Sequence, residues 1–135
     1  MPHISLRPDL YGITSLLDYR PQAAAPLCEL TQVLLRGPST LTEAERELIA
    51  TYVSYLNDCA FCSSAHGAAT CLLPGGDAEM LDAVKNELSS APLSDKMKAL
   101  LQIAGNVRQS GKAVTPELVE AARQAGATDL EIHDT

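Results

Sequence analysis

The sequence predicts an all-α fold, a compact helical bundle of about six helices. Three observations lead there: helix-capping signals recur along the chain, apolar residues between them follow a helical period, and strand-like alternation is confined to a few residues near the start. The connections "PGG" and "SGKAV" are short, as suits packed helices, and there is no low-complexity run or fixed-period repeat. At 135 residues the chain has the size of one domain, and residues 1–135 are expected to form a single unit.

The elements follow in order. The first 20 residues, with Pro2, Pro8 and Gly12, read as an extended or irregular segment. After Pro21, Leu27, Leu30, Val33 and Leu34 recur at helical spacing until Gly37 stops the helix. Thr42 and Glu45 form a capping box that opens a helix over about 43–56, with Leu48, Ile49, Tyr52, Val53 and Leu56 on one stripe. Asn57 and Asp58, good N-caps, are expected to start the next helix, which runs through "CAFCSSAHGAATCLL" to "PGG".

Three more helices are predicted. Asp77 caps one facing inward through Met80, Leu81, Val84 and Leu88; Ser94 caps "DKMKALLQIAGNVRQS"; Thr115 with Pro116 opens "ELVEAARQA". Thr128 and Glu131 then form a second capping box, and a helix is announced just as the sequence stops.

Composition narrows the function. Hydrophobic residues make up 46% and charged residues 20%, as in a globular protein, while the 4% aromatic share leaves Leu, Ile, Val and Ala to build the core. A net charge of −7 with scattered Lys and Arg argues against nucleic acid and against an anionic membrane surface. No stretch approaches the roughly 18 apolar residues of a membrane span, and the start does not read as a signal peptide. The expected location is the cytoplasm, where a structural disulfide framework is not anticipated and a CxxC pair points to catalysis or metal binding.

That pair lies in "LNDCAFCSSAH". On a helix, offsets of three, four and seven fall on one face, so Cys59, Cys62 and His66 are expected to form a single column. If the helix starts at Asn57 or Asp58, Cys59 occupies its first turn, where free N–H groups and the dipole favour a thiolate. His66 is one turn beyond Cys62 and in place to exchange its proton, which makes Cys62 a second candidate nucleophile. A thiolate opens the O–O bond of a peroxide to give a sulfenic acid, and a neighbouring thiol condenses with it to a disulfide and water.

Glu47, twelve residues before Cys59, approaches this column if the two helices pair antiparallel through a tight turn at 57–58. There it could orient His66 or relay protons. Spacing alone is a weak argument, since a helical glutamate is usually a solvated charge.

The same residues admit rival readings. Zinc needs four ligands, yet Cys28 and Cys71 stand apart, and Cys71, nine positions past Cys62, falls on the opposite side of the helix. No metal or cofactor is therefore expected. A thioredoxin-type motif needs a βαβ context that the chain lacks. Two small core thiols with a hydrogen-bonded histidine would be the inert alternative, in a non-catalytic helical assembly protein. Cys28 and Cys71 are expected to be buried, His3 and His133 exposed, and Tyr52 and Tyr55 to be core or pocket walls.

The pattern E-x11-CxxC-x3-H, filled by Glu47, Cys59, Cys62 and His66, resembles the alkylhydroperoxidase D-like group of the carboxymuconolactone decarboxylase superfamily, most closely its peroxidase-related members. The resemblance is strongest over about 41–70 and looser on either side. It implies an all-α fold assembled as a homo-oligomer, trimer or hexamer, that reduces hydrogen peroxide or alkyl hydroperoxides. By the same match Cys62 is the peroxidatic thiol, Cys59 the resolving thiol, and His66 and Glu47 a proton relay, with re-reduction by a dithiol donor such as a lipoyl-bearing protein. A dithiol–disulfide oxidoreductase acting on thiol substrates is the nearby alternative.

Helix-dipole reasoning favours Cys59 as the more acidic thiol, whereas the resemblance favours Cys62 for peroxide attack. Proximity to His66 decides for Cys62. Two departures stand out. Phe61 occupies a place where some members carry histidine, which points to a shorter relay and weaker peroxidase activity. Members also continue past "EIHDT" into a further helix, so a truncated form is expected.

Overall fold

The computed structural model describes residues 3–135, which fall into two compact units divided between Pro38 and Ser39. Every regular element among them is helical. The described residues form eight α-helices against the expected six or so; the extra ones are a short helix near the start, which was not expected, and the C-terminal helix that the Thr128 capping box announces.

The first unit holds α1 (Ile13–Tyr19) and α2 (Pro21–Arg36). The expectation of an irregular segment over the first 20 residues is corrected by α1; residues 1 and 2 of that segment lie outside the described residues. α1 escapes sequence reading because no side chain caps it: Gly12, at φ 57°, precedes it, and Ser15 bonds back to the Gly12 carbonyl at 2.9 Å. α2 starts with Pro21 in its first turn, as a helix tolerates, and its apolar residues Leu27, Leu30 and Val33 are more than half exposed.

The second unit contains α3 (Glu43–Leu56), α4 (Ala60–Leu72), α5 (Ala78–Asn86), α6 (Asp95–Gln109), α7 (Pro116–Gln124) and α8 (Asp129–Asp134). Single 3-10 turns lie at Leu88–Ser90 and Gly111–Ala113. The expected caps are in place. Thr42 accepts from the Glu45 N–H at 3.1 Å while Glu45 accepts from the Thr42 N–H at 2.8 Å; Asp77, Ser94 and Thr115 each accept from the N–H three residues on.

α6 forms the spine of this unit. Met97, Leu100, Leu101, Ile103 and Ala104 are buried on it, against Leu48 and Ile49 of α3, Leu81 and Val84 of α5 and Ala122 of α7. Each fully buried leucine stabilises the fold by about 1.5–3 kcal/mol relative to its exposed state. Tyr52 packs on the rim of this cluster.

α8 is held by Glu131, only 2% exposed. One carboxylate oxygen accepts from Lys96 Nζ at 2.8 Å and Thr40 Oγ1 at 2.7 Å, and the other from the Thr128 N–H at 2.7 Å. Burial alone would raise this carboxyl's pKa, but the Lys96 ammonium and the two other donors outweigh it and hold it down at about 2. Among the described residues, no helix is long and apolar enough to cross a membrane.

Candidate functional site

The site is built where α3 gives way to α4. Asn57 and Asp58, expected to open α4, instead close α3. The Asp58 N–H bonds to the Tyr55 carbonyl and the Cys59 N–H to the Ser54 carbonyl, both at 3.0 Å, which is the paired bonding of a Schellman motif. Asp58 sits at φ 54°, where glycine is usual and a short polar residue is tolerated. Asn57 is the C-cap of α3 and not an N-cap of α4; its side-chain oxygen accepts from Arg108 Nε of α6 at 3.1 Å, and Arg108 also donates to the Leu56 carbonyl at the end of α3.

Cys59 is therefore the N-cap of α4 and stands just outside the first turn in which it was expected. Its sulfur accepts the Cys62 N–H at 3.3 Å, one of the donors that a helix start leaves without an intrahelical partner. Cys59 and Cys62 are joined as a disulfide, with Cα atoms 5.4 Å apart. Both residues are half-buried.

One turn past Cys62, His66 Nδ1 lies 2.7 Å from Glu47 Oε2. In a continuous helix these residues would be about 28 Å apart; the two-residue joint folds α4 back on α3 and brings them together. Glu47 is 2% exposed, so the solvated charge expected of a helical glutamate is not what this residue is. A buried carboxylate on Nδ1 fixes the ring's orientation and favours the tautomer with its proton there. Nε2 then carries the lone pair of the neutral ring.

Two residues outside the predicted set support this pair. Thr51 Oγ1 donates to the Glu47 carbonyl at 2.8 Å, and Thr70 Oγ1 to the His66 carbonyl at 3.0 Å; the two hydroxyls lie 3.4 Å apart in the interior. Each threonine is one turn beyond a member of the pair, a spacing that sequence could have revealed. Gly67 is buried between the helices, where a Cβ would make ordinary contacts at 3.7 Å with Thr51 and Leu81.

A cavity of about 290 Å³ opens beside the disulfide, lined by Tyr55, Asp58, Cys59, Ala60, Ser63 and Ser64. Tyr55 is thus a pocket wall, and Lys85 Nζ of α5 lies 5.9 Å from the centre of its ring. Phe61 is 42% exposed.

Cys28 and Cys71 are exposed free thiols, contrary to the expectation that both are buried. Cys71 follows the buried Thr70 and is turned about 100° away from its face, and Cys28 lies on α2, which has no buried residue. His3 and His133 are exposed, as expected. Among the described residues, no three His, Cys, Asp or Glu side chains gather closely enough to hold a metal ion.

Comparison with known proteins places this fold. The sequence model of the carboxymuconolactone decarboxylase family matches residues 21–104. The fold is similar to that of an alkylhydroperoxidase AhpD core, an uncharacterised peroxidase-related protein from Ralstonia eutropha JMP134, with a TM-score of 0.80 and 27% identity over 90% of this chain. It is also similar to an uncharacterised peroxidase-related protein from Silicibacter sp. TM1040, with a TM-score of 0.79 and 26% identity over 90% of this chain. The chain spans 64% and 63% of those two proteins, respectively. No curated protein matches it. With the family pattern over most of its length and the AhpD-like arrangement of helices, the chain belongs to the carboxymuconolactone decarboxylase family.

Proposed function

We propose that the protein is a thiol-dependent peroxidase that reduces hydrogen peroxide or alkyl hydroperoxides through a Cys59–Cys62 dithiol–disulfide cycle. The observation that carries this reading is the disulfide at the start of α4 with His66 one turn away, its Nδ1 held by the buried Glu47. In the first step the Cys62 thiolate attacks the terminal oxygen of the peroxide; the O–O bond breaks, Cys62 becomes a sulfenic acid, and the alkoxide takes a proton delivered through His66. The Cys59 thiol then displaces the hydroxyl from that sulfur, giving the disulfide and water. A dithiol donor returns two electrons and two protons.

The order rests on His66, which stands one turn from Cys62; the Cys62 N–H on Cys59 eases the loss of the Cys59 proton in the second step. The exposed Leu27, Leu30 and Val33 of α2 support assembly as a homo-oligomer, a trimer or hexamer in this reading. The working compartment proposed is the cytoplasm, where the dithiol state is maintained.

The test is the mass of the reduced protein after one equivalent of peroxide, with and without alkylation. The expected result is loss of two hydrogens, mapped to Cys59 and Cys62. Cys62→Ser should consume no peroxide, and Cys59→Ser should stall as a sulfenic acid after one oxidation. Equal first-turnover rates for wild type and Cys62→Ser would reject Cys62 as the nucleophile.

One observation favours a second reading, a dithiol–disulfide oxidoreductase acting on thiol substrates: the cavity beside the site is lined by Cys59 and not by Cys62. Steady turnover of a dithiol substrate without any peroxide would select it.

A further inference from the structure

The cavity at the α3–α4 joint has a chemical character of its own. Of the six residues that line it, Tyr55, Ala60, Ser63 and Ser64 are uncharged, Cys59 supplies a disulfide sulfur, and Asp58 supplies the one formal charge. Asp58 is exposed and fixed in position, since its backbone at φ 54° is bonded into the motif that ends α3. A cation also stands by one wall of the cavity: the Lys85 ammonium of α5 lies 5.9 Å from the centre of the Tyr55 ring. A molecule that reaches the disulfide by this route meets Cys59 first and passes a carboxylate one residue away.

We propose that Asp58 is a specificity-determining residue for the thiol that re-reduces the disulfide, selecting uncharged or cationic thiols over anionic ones through repulsion in the cavity that leads to Cys59. This rests on the redox reading above and adds the class of reductant to it. The attacking thiolate forms a bond to Cys59 Sγ, the Cys59–Cys62 bond breaks, and Cys62 leaves as a thiolate that takes a proton through His66. A second thiol, from the same dithiol or from another molecule, then attacks the reductant's own sulfur in the mixed disulfide. Cys59 is released as a thiolate and the reductant leaves oxidised.

The incoming nucleophile is already an anion, so any further negative charge on it adds to the repulsion from Asp58. Between exposed groups several ångströms apart this amounts to a rate factor of roughly two to five at low ionic strength, which fades as salt screens it. Asparagine at position 58 removes the charge and tolerates the same backbone region, so the joint is kept.

The experiment measures second-order reduction of the oxidised full-length protein by cysteamine, 2-mercaptoethanol and 2-mercaptoethanesulfonate, expressed per thiolate, at low and high salt. The ratio of the cysteamine rate to the sulfonate rate is expected to fall by roughly two- to fivefold in Asp58→Asn at low salt and to change little at high salt. Lys85→Gln should move the ratio in the opposite direction. The intrinsic reactivities of the three thiols cancel between variants. An unchanged ratio in Asp58→Asn, with all three thiols still reducing the protein, overturns the role of Asp58 and leaves the redox cycle standing. Failure of every thiol to reduce either protein overturns the cycle and this inference together.

Discussion

The imidazole of His66 and the carboxylate of Glu47 meet at 2.7 Å from two different helices, and the carboxylate is almost wholly buried. A carboxyl group buried in such a place depends on the hydrogen bonds made to it, and the ring depends on the carboxyl group for its orientation. Glu47→Gln keeps the shape and a hydrogen-bonding group but replaces the carboxyl group that meets the ring. First-turnover disulfide formation with peroxide is expected to slow by about 10²-fold, with an unchanged far-ultraviolet circular dichroism spectrum. A wild-type rate in this variant would remove Glu47 from the relay.

The four cysteines should separate into two classes. Cys28 and Cys71 are exposed and free, while Cys59 and Cys62 are joined. Alkylation of the unfolded oxidised protein is expected to add two groups, at Cys28 and Cys71, and alkylation after reduction to add four. Label on Cys59 or Cys62 before reduction would contradict this pairing.

Glu131 makes a contribution to stability that depends on pH. Its carboxyl is held at about 2 against an ordinary 4.5, so the folded state favours its ionised form. That contribution is fully present above pH 4.5 and is lost as pH falls toward 2; the depression corresponds to about 3 kcal/mol. Glu131→Gln should lower stability at pH 7, measured by urea denaturation, and its stability should fall less than that of wild type between pH 4.5 and 2. Parallel pH profiles for the two proteins would rule the carboxyl out as the source.

Two glycines should respond in opposite ways. A Cβ at Gly76 would run into the backbone carbonyl of Thr70, so Gly76→Ala is expected to cost about 1–3 kcal/mol and to disturb the residue that holds the His66 carbonyl. A Cβ at Gly67 would make ordinary contacts at 3.7 Å, and Gly67→Ala should gain about 0.5–1 kcal/mol from its place inside α4. Thermal unfolding of both variants checks the contrast.

Side-chain caps make much of this architecture legible in the sequence. Thr42, Asp77, Ser94, Thr115 and Thr128 announce their helices because hydroxyl and carboxylate caps are local chemistry. α1 carries no such signal, because backbone geometry at Gly12 starts it without a side-chain cap. The place of His66 one turn after Cys62 follows from helical period, but the position of Cys59 outside α4 does not, and neither does the burial of Glu47, which depends on how closely α4 returns along α3. Asn57 and Asp58 carry a local preference for helix ends that does not say which helix. They end α3 through the backbone bonding at Asp58, and Arg108, about fifty residues away in the chain, holds the Asn57 side chain and the Leu56 carbonyl in that arrangement.

The reversal at Asp58 also gives the site a code written in length. Glu47 and His66 find each other because a set number of residues leads from the joint along each helix. One residue inserted into α3 between 47 and 57 would turn Glu47 by about 100° and shift it by about 1.5 Å relative to the joint. All four site residues would still be present, yet the carboxylate would point away from the ring. A homologue that keeps the glutamate, both cysteines and the histidine but changes the interval between them would retain the letters of this site and lose its grammar.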